Sequence, residues 1–361
     1  MAKKVKKAES QWQLIWRDFK KHRLANLGVV VLIILYLSAL FAGFISPYTP
    51  RERFVEYATM PPQRIHIRDE DGFRKPFVYG FSAERDPVTL AKVFTIDEEQ
   101  KLPIEFFVRG GEKYSFLGLF ETDLRLLGVE GGHLFLFGTD EQGRDLFSRT
   151  LHGAQLSLSV GLVGVLLSLI LGLIIGGISG YFGGVIDNII QRLIEFILTI
   201  PQIPLWMALA ASLPANWSMV RVYFAITVIL SLAGWAGLAR VIRGQVLALR
   251  EQDFVKAAQS FGGGAPRIII KHLLPNCMSY ILVTITLAIP GMIIGETALS
   301  FLGLGLRAPA VSWGVLLMSA QNVRALADYP WLFIPAAFVI IAVLAFNFVG
   351  DGLRDAADPY H

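Results

Sequence analysis

The sequence predicts an all-α polytopic membrane protein of six transmembrane helices, with a β-rich extracytoplasmic insert between the first and second. Three observations carry this reading. The 361 residues are 54% hydrophobic and only 17% charged, with mean hydropathy +0.53, whereas soluble domains carry about 25% charged residues. Six apolar runs are each long enough to cross hydrocarbon, which needs about 20 residues. One long interval, 47–137, departs from this pattern and mixes charges with Pro, Gly and aromatic residues.

Taken in order, residues 1–23 form a basic segment with Lys3, Lys4, Lys6, Lys7, Arg17, Lys20, Lys21 and Arg23. By the positive-inside rule it faces the cytoplasm. The first span, 24–46, follows as a signal-anchor: its apolar run from Leu24 to Ile45 is longer and starts later than the core of a cleaved secretory signal. In the insert, 47–137, the apolar period shifts toward two at Ile104–Val108 and His133–Phe137, which predicts strands. Arg109-Gly110-Gly111-Glu112 reads as a hairpin turn, because paired glycines supply the positive φ such turns need.

The core, 138–350, holds the remaining runs: Leu156–Tyr181, Ile189–Leu213, Val220–Val241, Ser279–Leu299 and Trp331–Val349. Alternation then puts both termini, including the carboxyl tail 351–361, and the loop 242–276 in the cytoplasm. That loop carries Arg243, Arg250, Lys256, Arg267 and Lys271 against Glu251 and Asp253, so its charge agrees with the count. Gly172, Gly176 and Gly180 share one face of the second span, where a neighbouring backbone can approach closely. Pro201 and Pro204 in the third span and Pro290-Gly291 in the fifth predict kinks.

Several charged groups bear weighing. Arg192 and Glu195 lie at i, i+3 near the inner end of the third span, a spacing that allows an intramembrane ion pair of structural kind. Glu296 near the outer end of the fifth span is open between a functional role and plain interfacial solvation. Arg144 and Asp145 lead into Leu146, Phe147 and Leu151, which predict an interfacial amphipathic helix. Asp351, Arg354, Asp355 and Asp358 form either a salt-linked cap against the cytoplasmic loop or a solvated tail. Cys277 is the single cysteine and a packing residue, which excludes an internal disulfide.

Within 242–276 a helix is expected from Val246 to Phe261, stopped by Gly262-Gly263-Gly264. Phe254, Ala257, Ala258 and Phe261 fall near one face, and the alanines keep that face low. Pro266 opens a second helical piece, Arg267 to Leu274, which Pro275-Asn276 breaks before the membrane. Two short helices joined by glycine make a protruding knob, an arrangement that an ordinary basic loop does not require.

The order Lys256-Ala257-Ala258, then Gly262, then Leu274-Pro275 resembles the EAA loop of ABC importer permeases, and the resemblance implies a coupling helix that docks on an ATPase subunit, with Phe254 and Val255 in the same segment. Lys256 stands where that family usually has glutamate, and His272 where it has isoleucine. Gly138-Thr139-Asp140-Glu141-Gln142-Gly143-Arg144-Asp145-Leu146-Phe147-Ser148-Arg149 is similar to a signature of the dipeptide and oligopeptide branch. Glu296–Gly305, Ser312-Trp313-Gly314, Asp187 through Arg192 to Pro201, and Gly350–Pro359 resemble other segments of that branch in the same order. The likeness covers the first span and nearly everything from Gly138 onward.

What the resemblance implies is a type I importer (MetI-like) core and a permease subunit in a bacterial inner membrane. It would be partnered by a homologous permease as a heterodimer, by two ATP-binding-cassette ATPase subunits and by an extracytoplasmic substrate-binding protein. The cargo so implied is di- or oligopeptide, with oligosaccharide, nickel chelate and opine as alternatives. No G-x-x-x-x-G-K-[ST] occurs, so ATP and Mg are expected on the partner subunits and no cofactor on this chain. The six histidines are scattered without ligand spacing. No catalytic residue and no nucleic-acid contact is expected. Two other classes compete: an ion-coupled secondary transporter, which predicts an intramembrane acidic relay or inverted repeats, and a membrane-anchored binding or assembly protein acting through the insert.

Overall fold

The computed structural model describes residues 11–69, 72–85, 92–322 and 327–357; Lys3, Lys4, Lys6, Lys7 and Asp358 lie outside them. A short amphipathic helix, α1 (Gln11–Phe19), precedes the apolar α2 (Arg23–Leu40) and the single turn α3 (Ala42–Ile45). The ring of His22 starts α2 by accepting from the Ala25 N–H through Nδ1 at 3.1 Å, satisfying one donor that a helix start leaves open. Six strands follow among the described residues: β1 (His66–Asp69), β2 (Gly72–Arg85), β3 (Lys92–Val108), β4 (Tyr114–Phe116), β5 (Phe120–Thr122) and β6 (Arg125–Val129). The helices after them are α4 (Leu146–Phe182), α5 (Gly184–Thr199), α6 (Gln202–Ala211), α7 (Met219–Leu249), α8 (Asp253–Ser260), α9 (Ala265–Ile268), α10 (Met278–Phe301), α11 (Trp313–Met318) and α12 (Ile334–Ala357).

Among the described residues five helical stretches are long and apolar enough to cross a membrane: Arg23–Leu40, Leu146–Phe182, Met219–Leu249, Ala265–Phe301 and Pro330–Ala357. The pair α5 and α6 makes a sixth if its two parts, bent by 84°, are one span. The bend falls at Ile200-Pro201, where the residue before proline takes φ −78° and ψ 127°, because proline disfavours helix at the residue it follows. Pro290 behaves differently and sits inside the continuous α10.

The chain divides into two compact units. The first comprises Met1–Ile33, Val160–Glu296 and Ile341–His361; the second comprises Ile34–Ser159 and Thr297–Ile340. In the first unit the glycine face of α4 receives α7. A Cβ on Gly176 would stand 2.5 Å from the Ala239 carbonyl oxygen, and one on Gly180 2.9 Å from that of Arg243. A Cβ on Gly172 would meet the Leu238 side chain at 2.8 Å. Absence of side chains is therefore what sets the separation of the two helices. The end of α12 packs on the amino-terminal helices, with Gly352 against Ala25 and Asp355 at 3.5 Å from His22. The cap of Asp351, Arg354 and Asp355 against the loop 242–276 is corrected accordingly: residues 351–357 prolong α12, and Asp355 turns to His22.

In the second unit β1, β2, β3 and β6 form an antiparallel sheet in that order, and β4 pairs with β5. Val78, Leu102 and Ile104 from the sheet close on Leu134. Two sequence expectations fail here. Arg109–Glu112 does not join paired strands, because β3 continues to β6 while the next hairpin turns at Leu117 and Gly118, with φ +52° and +73°. His133–Phe137 forms no strand, since Gln63 supplies what a ladder would: its Oε1 accepts from the Phe135 N–H at 2.6 Å and its own N–H donates to the Phe135 carbonyl at 3.0 Å. Nor is there a separate amphipathic helix after Asp145. Leu146 and Leu151 are buried at the start of the long α4.

Candidate functional site

The site begins at the last turn of α7. Arg250 caps it, and its guanidinium donates to the carbonyls of Gly180 at 3.3 Å and Tyr181 at 3.5 Å, placing positive charge where the carbonyl end of α4 is negative. Three residues, Arg250-Glu251-Gln252, then interrupt the helix expected to run from Val246 to Phe261. Gln252 takes φ −71° and ψ 151°, so α8 starts anew at Asp253, whose carboxylate suits a helix amino end.

α8 is two-faced. Val255 is fully buried in a cluster with Ile242, Val246, Ile268, Leu273, Cys277 and Ile281, which locks α8 to the ends of α7 and the approach to α10. The other side presents Phe254, Lys256, Ala257 and Phe261, with Phe261 92% exposed, while Ala258 is half-buried. Lys256 lies 3.9 Å from Glu251. The carboxyl end of α8 is a paired cap: the Gly262 N–H donates to Gln259 at 2.9 Å and the Gly263 N–H to Ala258 at 3.0 Å. Gly262 holds φ +77°, the left-handed conformation that this cap needs.

Beyond it, Pro266 occupies the first turn of α9. Pro275-Asn276 does not break the chain before the membrane, as the sequence suggested. A widened π turn, Ile269–Leu273, and a tight 3₁₀ turn, Leu274–Cys277, carry the helix through to α10. Pro275 sits in the first turn of the 3₁₀ segment, where a missing N–H is tolerated. Leu274 is half-buried and Pro275 exposed, in a helical stretch that runs from Ala265 to Phe301.

Behind this surface, α5 is tied to α7. Asp187 accepts from Arg243 twice, Nε to Oδ1 and Nη2 to Oδ2, both at 2.5 Å, and from the Ser179 hydroxyl at 2.5 Å. Sequence reasoning missed this pair, because it placed Arg243 in a loop and searched for partners only at helical spacing. The signal available was a lone acid and a lone base near the same ends of two apolar stretches. Arg192 and Glu195, the pair that was foreseen, meet at 2.9 Å with side chains 84% and 53% exposed. Glu296 is fully buried, so interfacial solvation does not describe it.

The segment from Gly138 to Asp145, in the other unit, is a buckle. Thr139 accepts from the Met60 N–H at 2.9 Å, and its carbonyl accepts from the Trp331 indole at 3.0 Å. Asp140 holds Arg144 at 2.7 Å and also pairs with Arg149. Asp145 caps α4 by accepting from the Ser148 N–H at 2.7 Å. Gly138 and Gly143 both have φ +72°, and a side chain on Gly138 would strike the Met60 carbonyl. Thr139, Asp140 and Asp145 are buried, which fits a structural fastening. Among the described residues no cluster of three His, Cys, Asp or Glu side chains is placed for a metal ion.

Comparison with known proteins gives this geometry its context. The model of the binding-protein-dependent transport system inner membrane component family matches residues 162–360. The chain belongs to that permease family. A second model, the N-terminal TM domain of oligopeptide transport permease C, matches residues 10–62 of the permease. The permease is 33% identical over 98% of its length to the oligopeptide transport system permease protein OppC of Bacillus subtilis, covering 91% of that protein. It is 33% identical over 97% of its length to the dipeptide transport system permease protein DppC of the same organism, covering 86% of it. To OppC of Salmonella typhimurium it is 39% identical over 71% of its length and 83% of the relative's. A solved inward-facing form of the MetNI methionine ABC transporter aligns at TM-score 0.43 and 17% identity over 57% of the permease and 95% of that chain. The family comprises membrane transport components rather than enzymes.

Proposed function

We propose that this permease is one membrane subunit of an ATP-driven peptide importer and that α8 is its coupling helix. The observation that carries the reading is the division of α8 between a fully buried Val255, packed among residues of two long apolar helices, and an exposed low face ending in Phe261. An ATPase subunit pressing on that face would move both helices together, because packed interiors transmit displacement. The relatives named above are peptide permeases, and this supports peptide as the cargo.

In this reading α5 and α6 form one broken span, giving six in all. The basic amino-terminal segment 1–23, the loop 242–276 and the carboxyl tail 351–361 are cytoplasmic, and residues 47–137 are an extracytoplasmic insert carrying the sheet. A homologous permease lines the pathway opposite this one. Arg192 and Glu195 support that arrangement, since charged side chains exposed beside Ile189, Leu193 and Phe196 are costly in hydrocarbon and suit a protein or water-filled boundary. A substrate-binding protein delivers cargo from outside, and two partner ATPase subunits hold ATP and Mg. Nucleotide must bind the two conformations with different affinity for the cycle to turn.

The test is co-purification of the tagged chain, expressed from its native operon, comparing wild type with Gly262→Asp. Wild type is expected to retain ATPase subunits and to show binding-protein-stimulated hydrolysis, and the variant to lose one or both. Purification of wild type free of any ATPase would overturn the proposal.

A further inference from the structure

We propose that the β4–β5 hairpin and the turn after the first span form a lipid site, a groove that holds an acyl chain of the adjacent membrane leaflet. It goes beyond the importer reading and rests only on α2 being a membrane span.

The groove has a volume of about 480 Å³ and is lined by Phe41, Phe44 and Ile45 on one side and by the hairpin residues Phe116 and Phe120 with Leu126 of β6 on the other. That volume falls in the range of small-molecule sites, about 300–1,000 Å³. Its chemistry selects against a polar occupant. Only Tyr114 and Thr122 bring side-chain oxygens to the lining, and the Tyr114 hydroxyl is already donated to the Leu124 carbonyl at 2.7 Å. The Thr122 hydroxyl accepts from the Leu124 N–H at 3.2 Å. A peptide in such a groove would leave its amides without partners, which buried polar groups do not tolerate; a hydrocarbon chain needs none.

Position supplies the occupant. Ile34, Leu37 and Leu40 on α2 are exposed, as residues that face lipid in a span must be, and Phe41 begins the groove at the very next residue. The lipid-facing surface of the span therefore runs directly into it. The far wall extends this apolar surface, for Leu117, Leu119 and Phe120 at the hairpin are 45%, 77% and 58% exposed, and aromatic residues favour the membrane boundary. The hairpin cannot swing away freely. Arg125 stacks over the Tyr114 ring at 5.1 Å and donates to the carbonyls of Ser46 at 3.0 Å and Glu112 at 2.9 Å, and Gly43 leaves room for that same tyrosine.

The experiment uses the full chain in its native membrane with Phe120→p-benzoylphenylalanine, followed by irradiation and intact-mass analysis. The expected product is a phospholipid adduct that survives washing and is absent without light. An adduct to a protein chain would show that a partner fills the groove, and absence of any adduct would show that no hydrocarbon lies against residue 120; either overturns the proposal. A second measurement covers a variant that assembles poorly: Leu119→Cys in a Cys277→Ser background, spin-labelled and reconstituted into phosphatidylcholine liposomes. Lipid immersion predicts several-fold greater accessibility to oxygen than to a nickel chelate, and the reverse ratio overturns it. Neither readout needs transport or an ATPase, so failure of the importer reading would leave this result standing.

Discussion

Asp187 and Arg243 face each other across α5 and α7 with two parallel hydrogen bonds of 2.5 Å. The two-pronged geometry is the strongest form of side-chain ion pair, and Ser179 from α4 joins it at 2.5 Å. Three helices are thus pinned at one level, directly behind the helix proposed to receive force. The pin makes α5 a follower of α7 and not an independent element.

Removing one partner leaves the other partly buried charge without its mate. Asp187→Ala is expected to cost about 1.5–3 kcal/mol, the range for hydrogen bonds to charged groups, and to lower the unfolding temperature in detergent. Arg243→Met should cost a similar amount. The double variant should cost clearly less than the sum, with a coupling energy above ~1 kcal/mol. Additive losses would show that the two residues act separately.

The glycine face of α4 gives a prediction with an internal control. Gly176→Leu drives a side chain into the Ala239 carbonyl, which a Cβ would already approach to 2.5 Å, and backbone cannot rotate aside as a side chain can. A loss of about 2–3 kcal/mol or failure to accumulate is expected. Gly237 on α7 has nothing within 4 Å of its ideal Cβ, so Gly237→Ala should leave stability unchanged or raise it by about 0.5–1 kcal/mol. Equal behaviour of the two variants in thermal unfolding would refute close helix approach at Gly176.

The spans were readable because a run of some twenty apolar residues has few other uses, and the Gly172, Gly176 and Gly180 face because its period is helical. Pro201 and Pro290 show where such reading stops. Both sit in apolar runs, yet of the two only Pro201 ends a helix. Gly110-Gly111 had the composition of a hairpin turn, but the end of β3 that leads into it, Ile104–Val108, pairs with β6 and not with the strand that follows. The paired cap at Gly262 was legible from glycine alone, whereas the break at Gln252 was hidden inside a segment of good helix formers. The Asp187–Arg243 pair spans 56 residues, and no local spacing reveals a contact of that reach.

Phe261 separates coupling from stability. At 92% exposure it contributes little to the fold, so Phe261→Ser should leave the unfolding temperature within a degree or two of wild type. On the proposed function, the same change should reduce binding-protein-stimulated ATP hydrolysis by at least several-fold in the assembled importer. Val255→Ser reverses the pattern, because that residue is fully buried: it should destabilise the chain by about 1–3 kcal/mol whether or not ATPases are present. If Phe261→Ser is as unstable as Val255→Ser, or leaves hydrolysis intact, α8 does not present this face to an ATPase.

Asp145 should give the protein a pH dependence opposite in sign to that of an ordinary paired carboxylate. Burial pushes its carboxyl up from 3.8 to about 7; the Asp140 charge adds to that rise, and hydrogen bonds from Ser148 oppose it. The folded state therefore keeps a proton that the unfolded chain releases above about pH 4, the ordinary aspartate value. Stability from this residue is fully present below that value and is lost as pH rises through about 7, by at most about 1.4 kcal/mol per pH unit. Asp145→Asn retains an oxygen to accept from Ser148 but cannot ionise. Its unfolding temperature should gain on wild type steadily from pH 5 to pH 8 in detergent, and then hold a constant lead. Parallel curves across that interval would mean that Asp145 ionises in the fold as readily as in water, and that its buried cap is solvated.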